Sequence, residues 1–138
     1  MNIRKIMSSA AAIVSLSAIT AFADPAIIYD LGGKFDKSFN EMAYTGAERW
    51  KADTGGNYRE IELSSEAQRE QALRRFAEAG NNPIVMAGFA FSTVLGEVAK
   101  DYPDTRLAVI DGYVPDQSPV LNIGFTEHTG SYLVGMMA

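Results

Sequence analysis

The sequence has no cysteine and a single histidine, His128. The first absence removes disulfides, thiolate metal sites, cysteine nucleophiles and a lipid-modified cysteine together. The second leaves a histidine-built metal site or a histidine-based catalytic triad short of parts, so no metal and no cofactor are expected. Chemical signatures are equally scarce. There is no G-x-S-x-G elbow, no H-E-x-x-H pair and no Gly-x-Gly-x-x-Gly turn after the first strand, and the chain is read as a non-enzyme. The stretch GGKFDKS brings Gly and Lys together without the G-x-x-x-x-G-K-[ST] spacing of a phosphate cradle. Positive charge is in the minority: 12 Lys and Arg against 17 Asp and Glu leave a formal charge of −5. That is the wrong sign for a partner with a phosphate backbone, which excludes nucleic acid.

What is present has an ordinary globular balance, 47% hydrophobic and 21% charged, unlike a disordered tail or a collagen-like repeat. At 138 residues the chain holds one compact domain at most, or part of something larger.

Residues 1–23, MNIRKIMSSAAAIVSLSAITAFA, read as a signal peptide. Arg4 and Lys5 form a basic start, an apolar or small run follows, and Ala21-Phe22-Ala23 supplies the small-x-small cleavage pattern. A membrane-spanning helix needs about 20 strongly apolar residues. This run is shorter and is diluted by Ser8, Ser9, Ser15, Ser17 and Thr20. Loss of Arg4 and Lys5 makes the mature chain, 24–138, two units more negative still. With no Cys at the cleavage site, the expected product is exported, periplasmic, soluble and without a lipid anchor.

Along the mature chain, apolar runs alternate with helical periodicity. Ala26-Ile27-Ile28-Tyr29 reads as a buried parallel strand. Ser38 with Glu41 forms a capping box opening a helix, with Phe39, Met42, Ala43, Gly46, Ala47 and Trp50 on one face and Gly55-Gly56 as its stop. Tyr58 to Leu63 alternates as a second strand near the sheet edge. Ser65 with Gln68 is a second capping box, for a helix carrying Ala72, Phe76 and Ala79. Pro83 to Ala87 is a third strand closed by Gly88. A helix with Phe91, Val94, Leu95 and Val98 follows, ending near Tyr102-Pro103. Leu107 to Ile110 and Asn122 to Phe125 are the fourth and fifth strands, and a last helix begins near Glu127. No repeat or low-complexity tract interrupts this order. The pattern specifies an α/β fold, an open, mostly parallel sheet flanked by helices on both faces. Leu133, Val134, Met136 and Met137 leave the last helix with apolar surface that nothing following covers, so the chain is read as the N-terminal part of a longer protein.

In such a sheet, ligands bind outside the carboxyl ends of the strands, where strand order reverses. Asp30, Gly88 with Phe89, and Asp111 all fall at strand ends and are expected to face one crevice. Two carboxylates with aromatic rings between them suit a neutral, hydroxyl-rich ligand carrying a flat ring, since carboxylates accept charge-assisted hydrogen bonds and Phe39 or Phe89 can lie against a ring face. Each residue also has a plainer reading. Asp30, or Asp111 before Gly112, can serve a turn; Phe39 can be core; Asp36 and Asn40 can be capping or surface groups; His128 reads as a helix-start residue.

The run YDLGGKFDKSFNEMAYTGAERW resembles the opening block of the basic membrane protein family, the substrate-binding subunits of ABC importers that include purine-nucleoside receptors. AGFAFSTVLGEVAKDYPDTRLAVID and NIGFTEHTGSYLVG resemble later blocks of that family, in the same order. The resemblance implies a type I periplasmic binding fold of two lobes closing on a nucleoside-like ligand, with residues 24–138 as the N-terminal lobe and permease subunits in the inner membrane as partners. By position, it makes Asp30 and Asp111 the carboxylates for the sugar, Phe39 a stacking ring, and Asp36 and Asn40 groups near base or sugar, with Gly88 and Phe89 lining the same side. Many family members are lipoproteins, which this leader without Cys departs from, and the family's second lobe normally follows this point. An exported ligand-sensing module and a periplasmic enzyme acting on a sugar or nucleoside are the competing functions.

Overall fold

The computed structural model describes residues 23–115 and 119–137. The expected leader, 1–23, lies outside the described residues apart from Ala23.

Five short strands, β1 (Ala26–Tyr29), β2 (Arg59–Glu62), β3 (Ile84–Ala87), β4 (Leu107–Ile110) and β5 (Val120–Ile123), form one sheet in the order β2-β1-β3-β4-β5. Every pairing is parallel. The helices are α1 (Phe39–Thr54), α2 (Gln68–Glu78), α3 (Ser92–Asp101) and α4 (Glu127–Met137), with a 3-10 turn at Phe89–Phe91. All four residues of β1 are buried because both sheet faces are covered there. Ala26 and Ile28 join a core with Leu73 and Phe76 of α2 and Leu95 and Val98 of α3. Ile27 and Tyr29 turn the other way, to Ala43 and Ala47 of α1. Each fully buried apolar side chain contributes about 1.5–3 kcal/mol, so the two-helix face is the stronger half of the domain.

Local differences from the sequence reading have identifiable causes. Ser38 stands at the N-cap of α1 but its side chain makes no cap. Asp36, two residues earlier, accepts the N–H groups of Ser38, Asn40 and Glu41 instead, and Glu41 reaches back to the N–H of Lys37 rather than of Ser38. At α2 half of the expected box forms: Gln68 Oε1 accepts the N–H groups of Ser64 and Ser65, and the helix proper starts at Gln68, not Ser65. β5 lies two residues before its expected position, because register with β4 sets Ile110 against Ile123 and carries Gly124 and Phe125 beyond the sheet. The stop of α1 is as expected, with Gly55 in the left-handed conformation (φ 70°).

The apolar stripe of α1 is only partly buried. Ala43 and Ala47 meet the sheet, whereas Phe39, Met42 and Trp50 stay substantially exposed. Helix α4 has no buried residue, and Leu133, Val134, Met136 and Met137 lie open.

Candidate functional site

Strand order reverses between β1 and its neighbour β3, so the crevice of this sheet opens where those two strands end. Asp30 follows β1, Gly88 follows β3 and Asp111 follows β4. Because all strands run parallel, the three stand on one edge, Asp30 and Asp111 separated by the single strand β3.

Asp30 is fixed from both sides. Its N–H donates to Asn40 Oδ1 at 3.0 Å, and Asn40 Nδ2 donates back to its carbonyl at 3.1 Å. Its carboxylate is gripped by Arg69, from the first turn of α2: Nε reaches Oδ1 at 2.9 Å and Nη2 reaches Oδ2 at 3.2 Å. A bidentate fork of this kind fixes direction as well as charge. Beside it Gly88 has φ 109°, a conformation L side chains rarely adopt, and a Cβ there would lie 3.6 Å from Asp30 Oδ2.

Asp111 is partly buried and sits in the left-handed region at φ 58°. Its N–H donates to the Ile123 carbonyl at 2.7 Å, and it has no ion-pair partner among the described residues. With Phe89, Gly112, Tyr113, Gly124, Phe125 and Glu127 it lines a shallow hollow of about 310 Å³. Phe125 and Glu127 are shared with a larger apolar groove of about 710 Å³ between α1 and β4–β5, which Phe39, Met42 and Ile123 also line. The Phe39 and Phe125 rings are 5.9 Å apart and tilted by 56°, within the range of favourable aromatic pairing. Phe39 is therefore a surface ring at the groove and not a core residue. Phe89 is 73% exposed.

Asp36 and Asn40 occupy a different role from the strand-end groups. Burial pushes the Asp36 carboxyl up, but the N–H groups of Glu41, Ser38 and Asn40 outweigh it and hold the group below the usual carboxylate value. Asn40 is buried, with both ends of its amide engaged by the Asp30 main chain. The two build and aim the loop between β1 and α1. That loop is pinned from its far side too: Lys34 N–H donates to Glu62 at 2.9 Å, and the Lys34 ammonium pairs with Glu60, whose hydrogen bond raises the lysine's pKa. Glu60 also accepts the hydroxyl of Tyr29, a phenol that burial pushes well above its ordinary value.

The structure thus brings Asp30 and Gly88 together, and Phe89 and Asp111 together, with Phe125 bridging the hollow to Phe39. His128 lies on exposed α4. Sequence reasoning missed Arg69, Phe125 and Tyr113 as site groups. Arg69 had one available signal, its place at the start of a helix that follows an outer strand, which puts it on the carboxyl edge. No group of three His, Asp or Glu side chains suited to a metal occurs among the described residues, and no helix there is long and apolar enough to cross a membrane.

Comparison with known proteins gives consistent results. Residues 25–138 match the profile of the Bmp family, described as ABC transporter substrate-binding protein PnrA-like. An uncharacterized lipoprotein of Pyrococcus furiosus is 38% identical over 120 residues, covering 82% of this chain and 29% of its own length. An ABC transporter nucleoside-binding protein of Lactococcus lactis is 25% identical over 117 residues, covering 82% of this chain and 33% of its own length. The crystal structure of an ABC transporter solute-binding protein from Aeropyrum pernix superposes with a TM-score of 0.78 at 31% identity, over 84% of this chain and 32% of that one. The chain spans about a third of the length of the curated relatives it matches.

Proposed function

The chain belongs to the Bmp family of PnrA-like ABC transporter substrate-binding proteins, and from that membership we propose that it forms one jaw of a cleft that captures a nucleoside-like solute for an ABC importer. The observation that carries the reading is the gathering of Asp30, Gly88, Phe89 and Asp111 on one edge of the sheet, at the point where strand order reverses. In this reading Asp111, with no ion-pair partner among the described residues, accepts hydroxyl hydrogen bonds from the sugar. Phe39 and Phe89 offer ring faces to the base, while Asp30 meets polar groups at the β1–β3 end. Asp36 and Asn40 act through the loop they hold. The relative named as a nucleoside-binding protein supports the ligand class.

One jaw buries only part of a ligand, and pockets that bind small molecules tightly enclose most of the ligand surface. Closure of a second lobe supplies the rest of the contact area, and the closed form, favoured by its tighter hold on ligand, is the one a permease reads. The reading assigns the chain no chemistry of its own. It also requires export, with residues 1–23 as the cleaved leader. The Pyrococcus relative is named a lipoprotein, and this sequence contains no Cys; export is part of the proposal.

The test is calorimetric titration of the complete gene product with adenosine, guanosine, inosine and cytidine beside a panel of sugars and amino acids, with mass spectrometry of whatever co-purifies. A nucleoside is expected both to bind and to be found bound. Binding of a sugar or amino acid with no response to any nucleoside would refute the ligand class.

A further inference from the structure

We propose that Arg69 is a specificity-determining residue of this cleft: by clamping Asp30 it leaves the β1–β3 end of the rim without net charge, so that this end accepts uncharged polar groups and rejects cations. The proposal rests on the carboxyl edge being the ligand site.

The geometry supplies three arguments. First, the pair is enclosed without being sealed. The side chains of Arg69 and Asp30 are 12% and 18% exposed, dry enough for their charges to govern what approaches and open enough for a ligand to touch them. Second, the clamp is built rather than incidental. Arg69 is the second residue of α2, a helix start pinned by Gln68 to the Ser64 and Ser65 N–H groups, and its guanidinium lies 5.9 Å from the centre of the Phe91 ring. A flat, delocalised cation packs there as a lysine ammonium could not. Third, the pair retains capacity. Arg69 has five N–H donors, of which Nε and one on Nη2 go to Asp30; Nη1 comes only within 4.0 Å of exposed Glu66. The Asp30 oxygens keep lone pairs beyond those Arg69 takes. Gly88 places no side chain over Oδ2, where a Cβ would stand at 3.6 Å.

A donor and an acceptor held side by side on a neutral edge match the amide-like edge of a heterocyclic base or a pair of hydroxyls. A positively charged ring finds there no unbalanced carboxylate, in contrast to the Asp111 end. Discrimination against cations thus comes from a carboxylate already neutralised by a fixed guanidinium, so that a cation gains no attraction there to offset its lost hydration.

The experiment compares the complete wild-type protein with Arg69→Gln and Arg69→Lys, each checked by circular dichroism. The probes are two pairs of ligands differing in charge, inosine against nicotinamide riboside and galactose against galactosamine, with affinities from calorimetry. Wild type is expected to favour the neutral member. Arg69→Gln, which leaves the Asp30 charge unbalanced, is expected to move that preference about tenfold toward the cation, the scale of one partly desolvated charge pair. Arg69→Lys should keep the wild-type preference while binding everything more weakly. An equal loss for both members of a pair in Arg69→Gln makes Arg69 merely structural and overturns the proposal. If the sugars bind and the nucleosides do not, the nucleoside reading fails and the galactose pair alone decides about Arg69. No binding of any probe to either form overturns both.

Discussion

Asp30 and Asn40 hold one another through two main-chain hydrogen bonds, N–H to Oδ1 at 3.0 Å and Nδ2–H to the carbonyl at 3.1 Å. This pairing ties the end of the first strand to the first turn of the first helix, and it sets the direction in which the Asp30 carboxylate meets Arg69. The candidate site is in this sense a product of backbone anchoring as much as of the side chains that face a ligand.

Replacing Asn40 by Ala should therefore act on the fold before it acts on binding. The substitution leaves the partly buried N–H of Asp30 unpaired and its carbonyl with only the long 3.4 Å bond from the Gly33 N–H, at a cost of about 1–3 kcal/mol. Urea denaturation followed by circular dichroism measures this. A variant as stable as wild type but unable to bind ligand would instead make Asn40 a direct ligand contact.

Asp36 should confer a pH-dependent share of stability. Its carboxyl lies below the ordinary value of 3.8 in the folded state, so its contribution is full above that value and is lost as pH falls through the lower, folded-state range. Asp36→Ala should cost about 0.5–2 kcal/mol at neutral pH, as loss of a helix cap does. The gap to wild type should close as pH falls below 3.8. Asp36→Asn, which can still cap, should show a smaller and flatter difference. Denaturation curves at pH 7 and at pH 3 decide it; a gap that widens in acid contradicts the assignment.

Asp111 separates binding from strain. Its φ of 58° is tolerated by Asn and favoured by Gly. Both Asp111→Asn and Asp111→Gly should keep the fold, while affinity falls by about 1–3 kcal/mol through lost hydrogen bonds to a charged acceptor. Calorimetry beside thermal unfolding reads the two effects separately. Unchanged affinity in both variants removes Asp111 from the site.

Gly112 is constrained by space. A Cβ there would stand 2.5 Å from Val109 Cγ2 and 3.0 Å from Ser92 Oγ, and Ser92 Oγ accepts the Tyr113 N–H at 3.2 Å. Gly112→Ala should destabilise by about 1–3 kcal/mol, the usual range for overpacking. It should also shift the Tyr113 amide resonance. A variant with wild-type stability and spectrum would show that the turn gives way freely.

The sheet was legible because Ala26-Ile27-Ile28-Tyr29 and Leu107-Ala108-Val109-Ile110 are runs that only a strand covered on both faces explains. Parallel order then carried Asp30, Gly88 and Asp111 to one edge. What stayed hidden involved choices between neighbouring polar groups. Ser38 and Asp36 are both good caps, and which one turns toward the free N–H groups depends on the loop's path, including the turn at Gly32 and Gly33 that Glu62 braces. Arg69 was hidden for a related reason: on its own helix it reads as one more surface cation, and only the third dimension sets it against a carboxylate 39 residues away. Phe39 was ambiguous between core and surface because helical spacing places it on the α1 stripe that buries Ala43 and Ala47.

The most direct test of the account is a residue-by-residue amide NMR map of the protein during titration with inosine. Binding at the strand-end rim is expected to move the resonances of Asp30, Gly88, Phe89, Asp111 and Phe125 together, while those at the opposite edge, such as Asn81 and Arg106, stay still. Changes gathered at that opposite edge, or a spectrum indifferent to inosine, would contradict it.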